Sequence, residues 1–358
     1  MATTTPVPPS RKLKVACAGL GRMGQRHANN FLTNVPRAEL VAVFTPAPHE
    51  IKWASQNLAP LGVAVYDDYD KMLEHESLEA VVIATVTAVH AEQALKAIAK
   101  DLHVLSEKPI SISDAISQQV IDAAAKKPHL KLMCGFMRRF DSSYRDVKNK
   151  IDEGLIGKPI IYYGQTGDKR DPSGFFVQYA QFSGGIFVDC TIHDIDLALW
   201  YFGEDVKVKS ISASGVAAIE PDLTLHKDVD NAVGTVEFHS GQIATFYATR
   251  MMAAGQEDQT WICGTNGKLT VNMAPAINHV TIHDSYGVRR EIPQTFFERF
   301  QPGFAVEANE FTKAILDDLP VPIDPRGAVH AVKIANALQE SVISGKKIYY
   351  DENENRIE

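Results

Sequence analysis

The sequence has few cysteines, no excess of positive charge and no apolar run long enough to span a bilayer. Its four cysteines are scattered along 358 residues, most of them in apolar runs, which indicates reduced thiols. A formal net charge of −8 excludes the basic field that binds nucleic acid or an anionic membrane surface, and it favours a small-molecule partner. The opening "MATTTPVPPS" lacks the basic and apolar segments of a signal peptide, so we expect a cytoplasmic protein.

Residues 12–135 alternate short apolar runs with helical patterns, after a Pro- and Thr-rich tip (1–11) that we expect to be flexible. Runs such as "LKVACAG" (13–19) and "EAVVIAT" (79–85) are apolar along their whole length. Strands of this kind are buried on both faces. The first domain is therefore predicted to be an α/β domain with a doubly wound parallel sheet.

Residues 136–358 change to closely spaced strands joined by short turns. The turns "HSGQ" (239–242) and "TNGK" (265–268) are typical of hairpins between antiparallel strands. This pattern predicts a second, α+β domain. We expect the last two helical patterns, around 303–316 and 326–343, to return and pack near the first domain.

The first apolar run leads directly into "GLGRMGQRH" (19–27), where Gly19, Gly21 and Gly24 have the G-x-G-x-x-G spacing. This spacing serves a tight turn, a close approach of the pyrophosphate and a close helix–strand contact, in that order. A strand before the motif and a helix after it are the context that dinucleotide binding requires. The loop residues Arg22 and Met23 are predicted to lie beside the cofactor.

The end of the second strand carries Thr45 where an acid would bind the adenosine ribose. Without a carboxylate the position does not repel a 2′-phosphate, and Arg22 adds positive charge. We therefore expect NADP or NAD as cofactor, with NADP slightly favoured. The alternative is that Thr45 merely ends a strand and either cofactor binds.

Three further motifs, "SEKPIS" (106–111), "GFMRRFDSSY" (135–144) and "GGIFVDCTIHDIDLALW" (184–200), occur in order after the Gly-rich loop. Together the four motifs resemble the Gfo/Idh/MocA family, over nearly the whole chain. The resemblance implies an N-terminal Rossmann domain and a C-terminal α/β domain whose open, largely antiparallel sheet forms a homodimer or homotetramer. It implies an enzyme that transfers a hydride between NAD(P) and a hydroxyl or carbonyl of a sugar, polyol or inositol-like substrate.

The resemblance also assigns site residues. Glu107 and Lys108 match the family's Glu-Lys-Pro motif, in which Lys108 would stabilise negative charge on the reacting oxygen. Asp189 and His193 match a D-x-x-x-H element, in which His193 accepts the hydroxyl proton and Asp189 holds His193. A four-residue spacing places both on one face of an α-helix. Thr85 and His90 are expected to complete the cofactor site.

For the substrate we expect contacts from Arg138 or its neighbour Arg139, and from Gln165, Asp168 and Lys169 in a polar loop, besides Asp189 and His193. The same loop lacks the His-x-Asn element of inositol dehydrogenases, which argues against inositol as the substrate.

Two other acids follow His193. Asp194, three residues after Thr191, fits a helix cap, whereas Asp196 shares the face of His193 without an assigned role.

The residues alone are also compatible with two other functions. One is a cofactor-binding regulator without turnover, which would need the Gly-rich loop but not Lys108, Asp189 and His193. The other is a metal-dependent hydrolase that uses His193 and Asp194, although the remaining histidines offer no matching ligands and we expect no metal.

Overall fold

The computed structural model describes residues 11–357, which form two compact units. Unit 1 extends to Ser111 and includes Ala115–Gly135 and Phe304–Pro325; unit 2 comprises Ile112–Asp114, Phe136–Gly303 and Arg326 onward. The N-terminal tip predicted to be flexible lies, apart from Arg11, outside the described residues.

Unit 1 contains a six-stranded sheet in which every strand pair is parallel. Its strands are β1 (Leu13–Ala18), β2 (Ala38–Phe44), β3 (Ala64–Tyr66), β4 (Ala80–Ile83), β5 (His103–Glu107) and β6 (Leu132–Gly135). The helices are α1 (Gly24–Thr33), α2 (Pro48–Asn57), α3 (Tyr69–Leu73), α4 (Thr87–Ala99) and α5 (Asp114–Ala125). The strand order, β3-β2-β1-β4-β5-β6, is that of a dinucleotide-binding Rossmann fold, and it confirms the predicted fold class.

Unit 2 contains an eight-stranded mixed sheet of order β12-β11-β7-β10-β9-β8-β15-β16. Its strands are β7 (Pro159–Lys169), β8 (Val208–Val216), β9 (Asn231–Phe238), β10 (Ile243–Met252), β11 (Glu257–Gly264), β12 (Lys268–Val271), β15 (Ile348–Tyr350) and β16 (Arg356–Ile357). A separate hairpin pairs β13 (Ile282–Asp284) with β14 (Gly287–Arg289). The β7–β10 pair is parallel and the other pairs are antiparallel, so the sheet is largely antiparallel, as predicted.

The remaining helices are α6 (Ser142–Asp152), α7 (Phe175–Ser183), α8 (Ile192–Phe202), α9 (Phe296–Leu316) and α10 (Pro325–Ser344). The two C-terminal helices fall into different units. The part of α9 from Phe304 onward belongs to unit 1, whereas α10 from Arg326 onward belongs to unit 2. The reason is packing: a Cβ on Gly234 of β9 would lie 2.6 Å from Leu338 of α10, and Ser341 accepts a hydrogen bond from the Ala213 amide.

The two faces of the eight-stranded sheet differ in burial. In β10, Ala244, Phe246 and Ala248 are buried, whereas Thr245 and Tyr247 between them are partly exposed. The buried face receives α8, since a Cβ on Gly164 would lie 2.8 Å from Asp194. The other face stays open within the described chain. Alternation of buried and exposed side chains therefore fixes which residues of β7 and β10 can reach α8.

Candidate active site

The Gly-rich loop between β1 and α1 has the geometry of a pyrophosphate cradle. Gly19 has a positive φ of 88°, and a Cβ there would lie 2.6 Å from the Ala84 carbonyl oxygen. A Cβ on Gly24 would lie 1.9 Å from the Gly19 oxygen. At Gly21, by contrast, the nearest protein atom outside the adjoining residues is a Glu50 oxygen, 3.5 Å from the position of a Cβ. The protein's own packing thus requires Gly19 and Gly24, while Gly21 leaves room for a ligand at the N-terminus of α1.

Thr45 does not offer its hydroxyl to a cofactor. It is fully buried, donates a hydrogen bond to the Glu50 carboxylate and accepts one from the Ala47 amide at 3.2 Å. Glu50, in the first turn of α2, also accepts a hydrogen bond from the Leu20 amide at 3.3 Å. A carboxylate therefore stands beside the Gly-rich loop after all, five residues later than the position where an acid was sought.

The Glu-Lys-Pro motif lies at the carboxyl end of β5, the edge of the sheet where ligands bind in open α/β folds. Glu107 accepts hydrogen bonds from His27 Nε2 at 2.8 Å and from the Lys108 amide at 3.2 Å. Burial opposes the ionisation of Glu107, but the hydrogen bond from His27 and nearby positive charge outweigh it, so that the pKa of Glu107 falls below its ordinary value. Glu107 is thereby an internal anion that fixes the backbone of Lys108.

Two other residues expected to contact the cofactor are engaged within unit 1. His90 is buried, with its ring nitrogens 2.9 Å from the Pro109 oxygen and 3.1 Å from the Thr85 oxygen. The Thr85 hydroxyl donates to Gln93 Oε1 at 2.7 Å. The geometry does not support a direct contact between His90 and the cofactor; His90 instead joins the loop after β4 to the Glu-Lys-Pro segment. Arg22 and Met23 lie in the Gly-rich loop, where Arg22 is exposed.

In unit 2, the segment that begins at Ile186 is helical but not uniformly α-helical. Phe187–Thr191 forms a π-helical turn, and α8 follows from Ile192. Such turns widen the helix locally and are frequent at functional sites. The spacing argument for Asp189 and His193 assumed a regular α-helix at both positions, whereas Asp189 lies in the π-helical turn.

Burial separates Asp189 and His193 from their neighbours. Within residues 186–199 every side chain is buried except those of Asp189 and His193. The His193 ring packs edge-on against Phe136 with ring centroids 6.0 Å apart. An otherwise buried helix thus presents one carboxylate and one imidazole at its accessible side, which is the chemistry expected of a proton-transfer site.

Asp194 is not a helix cap. The Thr191 side chain makes no capping hydrogen bond, and Asp194 is fully buried. Asp194 accepts hydrogen bonds from Arg138 at 2.9 Å and from Thr166 at 2.5 Å. The Arg138 guanidinium is buried with it and also donates to Asp258 at 2.8 Å. A side chain with these partners is part of the core of unit 2, so the geometry does not support a substrate contact by Arg138.

Asp196, for which the sequence suggested no role, forms a second buried ion pair. Arg139 donates to both of its carboxylate oxygens, from Nε at 2.8 Å and from Nη2 at 2.7 Å. Arg139 also donates to Glu204 at 2.5 Å. Asp196 therefore holds α8 to the segment after β6 and takes no part in the pair formed by Asp189 and His193.

The three polar residues predicted in a loop lie instead on strand β7, and they do not lie together. Asp168 reaches the Asp189 region, because the Cys190 thiol is 3.7 Å from Asp168 and 3.8 Å from Asp189. Gln165 belongs to the opposite face of the sheet, where Tyr163 donates to it at 3.0 Å. Lys169 is exposed and donates to Gln294 at 2.5 Å. Of the three, Asp168 alone is brought next to Asp189.

Arg250 was missed by the sequence analysis. It ends the apolar run of β10, is buried, and donates to Asp189 at 3.1 Å and to Asp228 at 2.8 Å. The signal was an arginine within an otherwise largely apolar strand, since a buried guanidinium requires anionic partners. Glu50 was missed because its approach to the Gly-rich loop depends on the β2–α2 connection.

Within residues 11–357 no group of three or more His, Cys, Asp or Glu side chains could hold a metal ion. In the same part of the chain no helix has the length and hydropathy of a membrane span.

Comparison with known proteins places this geometry in a family. Residues 13–136 match the profile of the oxidoreductase family with an NAD-binding Rossmann fold, and residues 144–270 match the GFO/IDH/MocA C-terminal domain. The chain belongs to the GFO/IDH/MocA family. The resemblance read from the motifs is thereby confirmed.

Members of the GFO/IDH/MocA family with curated functions are similar over almost the whole chain. The scyllo-inositol 2-dehydrogenase (NAD(+)) of Bacillus subtilis is 32% identical over 343 residues, which cover 95% of this chain and 97% of that protein. The myo-inositol 2-dehydrogenase of Thermotoga maritima is 28% identical, with 95% and 99% covered.

Solved structures of the family agree. The scyllo-inositol dehydrogenase of Lactobacillus casei with bound NAD(H) and scyllo-inositol has a TM-score of 0.89 and 32% identity, and covers 95% of this chain and 99% of its own. The predicted enzyme class is confirmed: the chain is a nicotinamide-dependent oxidoreductase that acts on CH–OH groups. The comparisons support NAD and give no support to the expected preference for NADP.

Proposed function

We propose that this chain is an NAD-dependent dehydrogenase that oxidises one hydroxyl of an inositol-type cyclic polyol. The observation that carries the proposal is the isolated accessibility of Asp189 and His193 on a buried helix of an NAD-binding oxidoreductase. Relatives that cover 95% of the chain are scyllo- and myo-inositol dehydrogenases. These relatives outweigh the missing His-x-Asn element, and of the polar residues in that region Asp168 lies near Asp189.

The roles follow from the chemistry of the side chains. A neutral imidazole takes up a proton near neutral pH, so we assign His193 the role of accepting the proton of the substrate hydroxyl. Asp189 orients the ring and stabilises its protonated form. To Lys108 of the Glu-Lys-Pro motif we assign the stabilisation of negative charge on the reacting oxygen. Bound NAD supplies the acceptor for the hydride.

The substrate can be tested with the purified protein. We expect reduction of NAD, followed by absorbance, with myo-inositol or scyllo-inositol, and much slower reduction with open-chain polyols. Protein that binds NADH normally yet reduces no NAD with any inositol, aldose or polyol would refute the proposal and support a regulator without turnover.

For the cofactor, we infer NAD rather than NADP from Glu50. Its carboxylate accepts hydrogen bonds from Thr45 and from the Leu20 amide, and so adds negative charge next to the loop that would bind the adenosine half. A 2′-phosphate near that carboxylate would be repelled, whereas a ribose hydroxyl could donate to it. We therefore expect tighter binding of NADH than of NADPH.

The Glu50→Gln variant tests this inference, because the amide keeps an acceptor for the Leu20 amide and loses the charge. We expect the ratio of kcat/KM for NADP to that for NAD to rise roughly tenfold, equivalent to about 1.4 kcal/mol. Glu39→Gln is the matched control, since Glu39 is an exposed acid of β2 paired with Lys14. A wild type that prefers NADPH, or a ratio unchanged in Glu50→Gln, would contradict the role of Glu50.

For the assembly, we propose a homodimer or homotetramer that uses the open face of the eight-stranded sheet. Tyr163 and Trp261 stack there with ring centroids 5.6 Å apart, and Val233 is 48% exposed. Light scattering should show an oligomer that Val233→Lys dissociates and the exposed-residue control Leu61→Lys does not. A monomeric wild type would refute the proposal.

The four cysteines, all free thiols, fit the reducing cytoplasm that we propose as the location of the protein.

A further inference from the structure

Arg250 forms hydrogen bonds with two carboxylates. Asp189 lies in the helical segment before His193, and Asp228 binds the start of that segment. The guanidinium is 4% exposed and uses a different nitrogen for each partner: Nη1 donates to Asp228 at 2.8 Å and Nη2 donates to Asp189 at 3.1 Å. The Phe176 ring covers it, with 5.2 Å between the guanidinium carbon and the ring centroid. A planar, forked cation can make two such bonds at fixed angles, and an ammonium cannot.

Asp228 extends this connection to the helix backbone. Its Oδ1 accepts hydrogen bonds from the Ile186 amide at 2.8 Å and from the Val229 amide at 2.9 Å. Ile186 is the residue immediately before the π-helical turn, where an amide has no carbonyl partner within the helix. Arg250 therefore acts on the turn at two points, through Asp228 at its start and through Asp189 in its middle.

We propose that Arg250 is the positioning residue of the Asp189–His193 pair: it fixes the π-helical turn and partly neutralises Asp189. This inference rests on the proposed function for its kinetic consequences. The groups that face Asp189 include the Arg250 guanidinium and the Cys190 thiol, and Asp168 lies beyond that thiol. Without Arg250 the carboxylates would be left uncompensated, and the proton on His193 would be held more tightly.

Two variants separate geometry from charge. Arg250→Lys keeps the positive charge but loses the fork, so we expect kcat to fall roughly 10²-fold, as for a misplaced catalytic group. The lower pH limit of kcat/KM should stay close to that of the wild type. Arg250→Met loses both, so we expect a similar or larger fall in kcat and a lower pH limit that rises by about one pH unit.

Arg139→Lys is the matched control, because Arg139 is equally buried and holds Asp196 and Glu204 on another side of α8. We expect it to lower the melting temperature as the Arg250 variants do, with kcat and the pH profile within about twofold of the wild type. If Arg139→Lys loses as much kcat as Arg250→Lys, or if both Arg250 variants keep wild-type kcat, the positioning role is refuted.

An NMR titration of His193 makes the test independent of turnover. The resonance is assigned by its loss in His193→Asn, and its pKa is compared among wild type, Arg250→Met and Arg139→Lys. A rise of about one unit in Arg250→Met alone supports the proposal, and an unchanged value contradicts it. A wild type without dehydrogenase activity would refute the proposed function, while the titration would still decide whether Arg250 acts on His193.

Discussion

Asp189 and Asp196 lie seven residues apart, and exchanging each for asparagine should have opposite consequences. Asp196 is 1% exposed and receives two hydrogen bonds from Arg139, at 2.8 and 2.7 Å. In Asp196→Asn the buried guanidinium loses its main counter-ion. The side chain of Asp189 is 18% exposed, and in Asp189→Asn the Arg250 guanidinium keeps Asp228 as its partner.

The magnitudes follow from burial. Breaking a buried ion pair costs about 3–5 kcal/mol, and the remaining contact of Arg139 with Glu204 places Asp196→Asn near the lower end of that range. For a chain of 358 residues, a loss of about 3 kcal/mol corresponds to a melting temperature lower by roughly 4 °C. For Asp189→Asn we expect a loss of about 1 kcal/mol, because the amide can still accept a hydrogen bond from Arg250.

The assays are thermal unfolding and steady-state kinetics with NAD and inositol, on both variants at one temperature well below either transition. We expect Asp196→Asn to keep kcat within about twofold of wild type, while Asp189→Asn loses roughly 10²-fold. A stable Asp196→Asn protein with strongly reduced kcat would show that Asp196 belongs to the reacting network, and our assignment would be wrong. So would an Asp189→Asn variant with full activity.

Two further predictions concern the cradle and the ion pairs around Arg138. Gly21→Ala should keep the melting temperature of the wild type and bind NADH at least tenfold more weakly, as measured by calorimetry, whereas Gly24→Ala should fail to fold, because its Cβ would overlap the Gly19 oxygen; equal NADH affinity in Gly21→Ala would count against the cradle. Burial raises the pKa of Asp258 from its ordinary 3.8 to about 6, so the folded protein holds this proton more tightly than the unfolded chain. The contribution of Asp258 to stability therefore increases as pH falls from about 6 to about 4, by up to about 3 kcal/mol, and denaturant unfolding of Asp258→Asn over this range should lack that component. An identical pH dependence in both proteins would contradict the shifted pKa.

Local patterns predicted the parts of the molecule that depend on local geometry. The spacing of Gly19, Gly21 and Gly24 after a short apolar run indicated the cradle, because each glycine answers a steric demand within a few residues. The short runs that are apolar along their whole length indicated the parallel sheet, because such strands are buried on both faces. Asp189 and His193 were identified from the motif resemblance, and the isolated exposure of these two side chains now gives them a physical basis.

The roles of the charged residues around α8 were harder to predict from the sequence, because the partners of these residues are distant along the chain. Arg138 and Arg139 follow β6 and were expected near the substrate, yet they pair with Asp194 and Asp196, more than fifty residues later. A helical wheel shows which side chains share a face but not whether a counter-ion is buried against that face. Arg250 was missed for the same reason.

The cofactor preference shows a different limit. An acid was sought at the end of β2, and Thr45 was found there. Glu50 supplies the carboxylate from the first turn of α2, where it bonds to Thr45 and to the Leu20 amide. The course of the backbone between β2 and α2 brings it there, and a fixed distance along the sequence could not reveal it.

Turnover by His193→Asn decides whether this accessible imidazole carries out the proton transfer. With NAD and the best inositol substrate, we expect kcat to fall by about 10²–10⁴-fold, while NADH affinity and melting temperature stay at wild-type values. A His193→Asn variant that folds, binds NADH and keeps wild-type kcat would contradict the assignment of His193 as the proton acceptor.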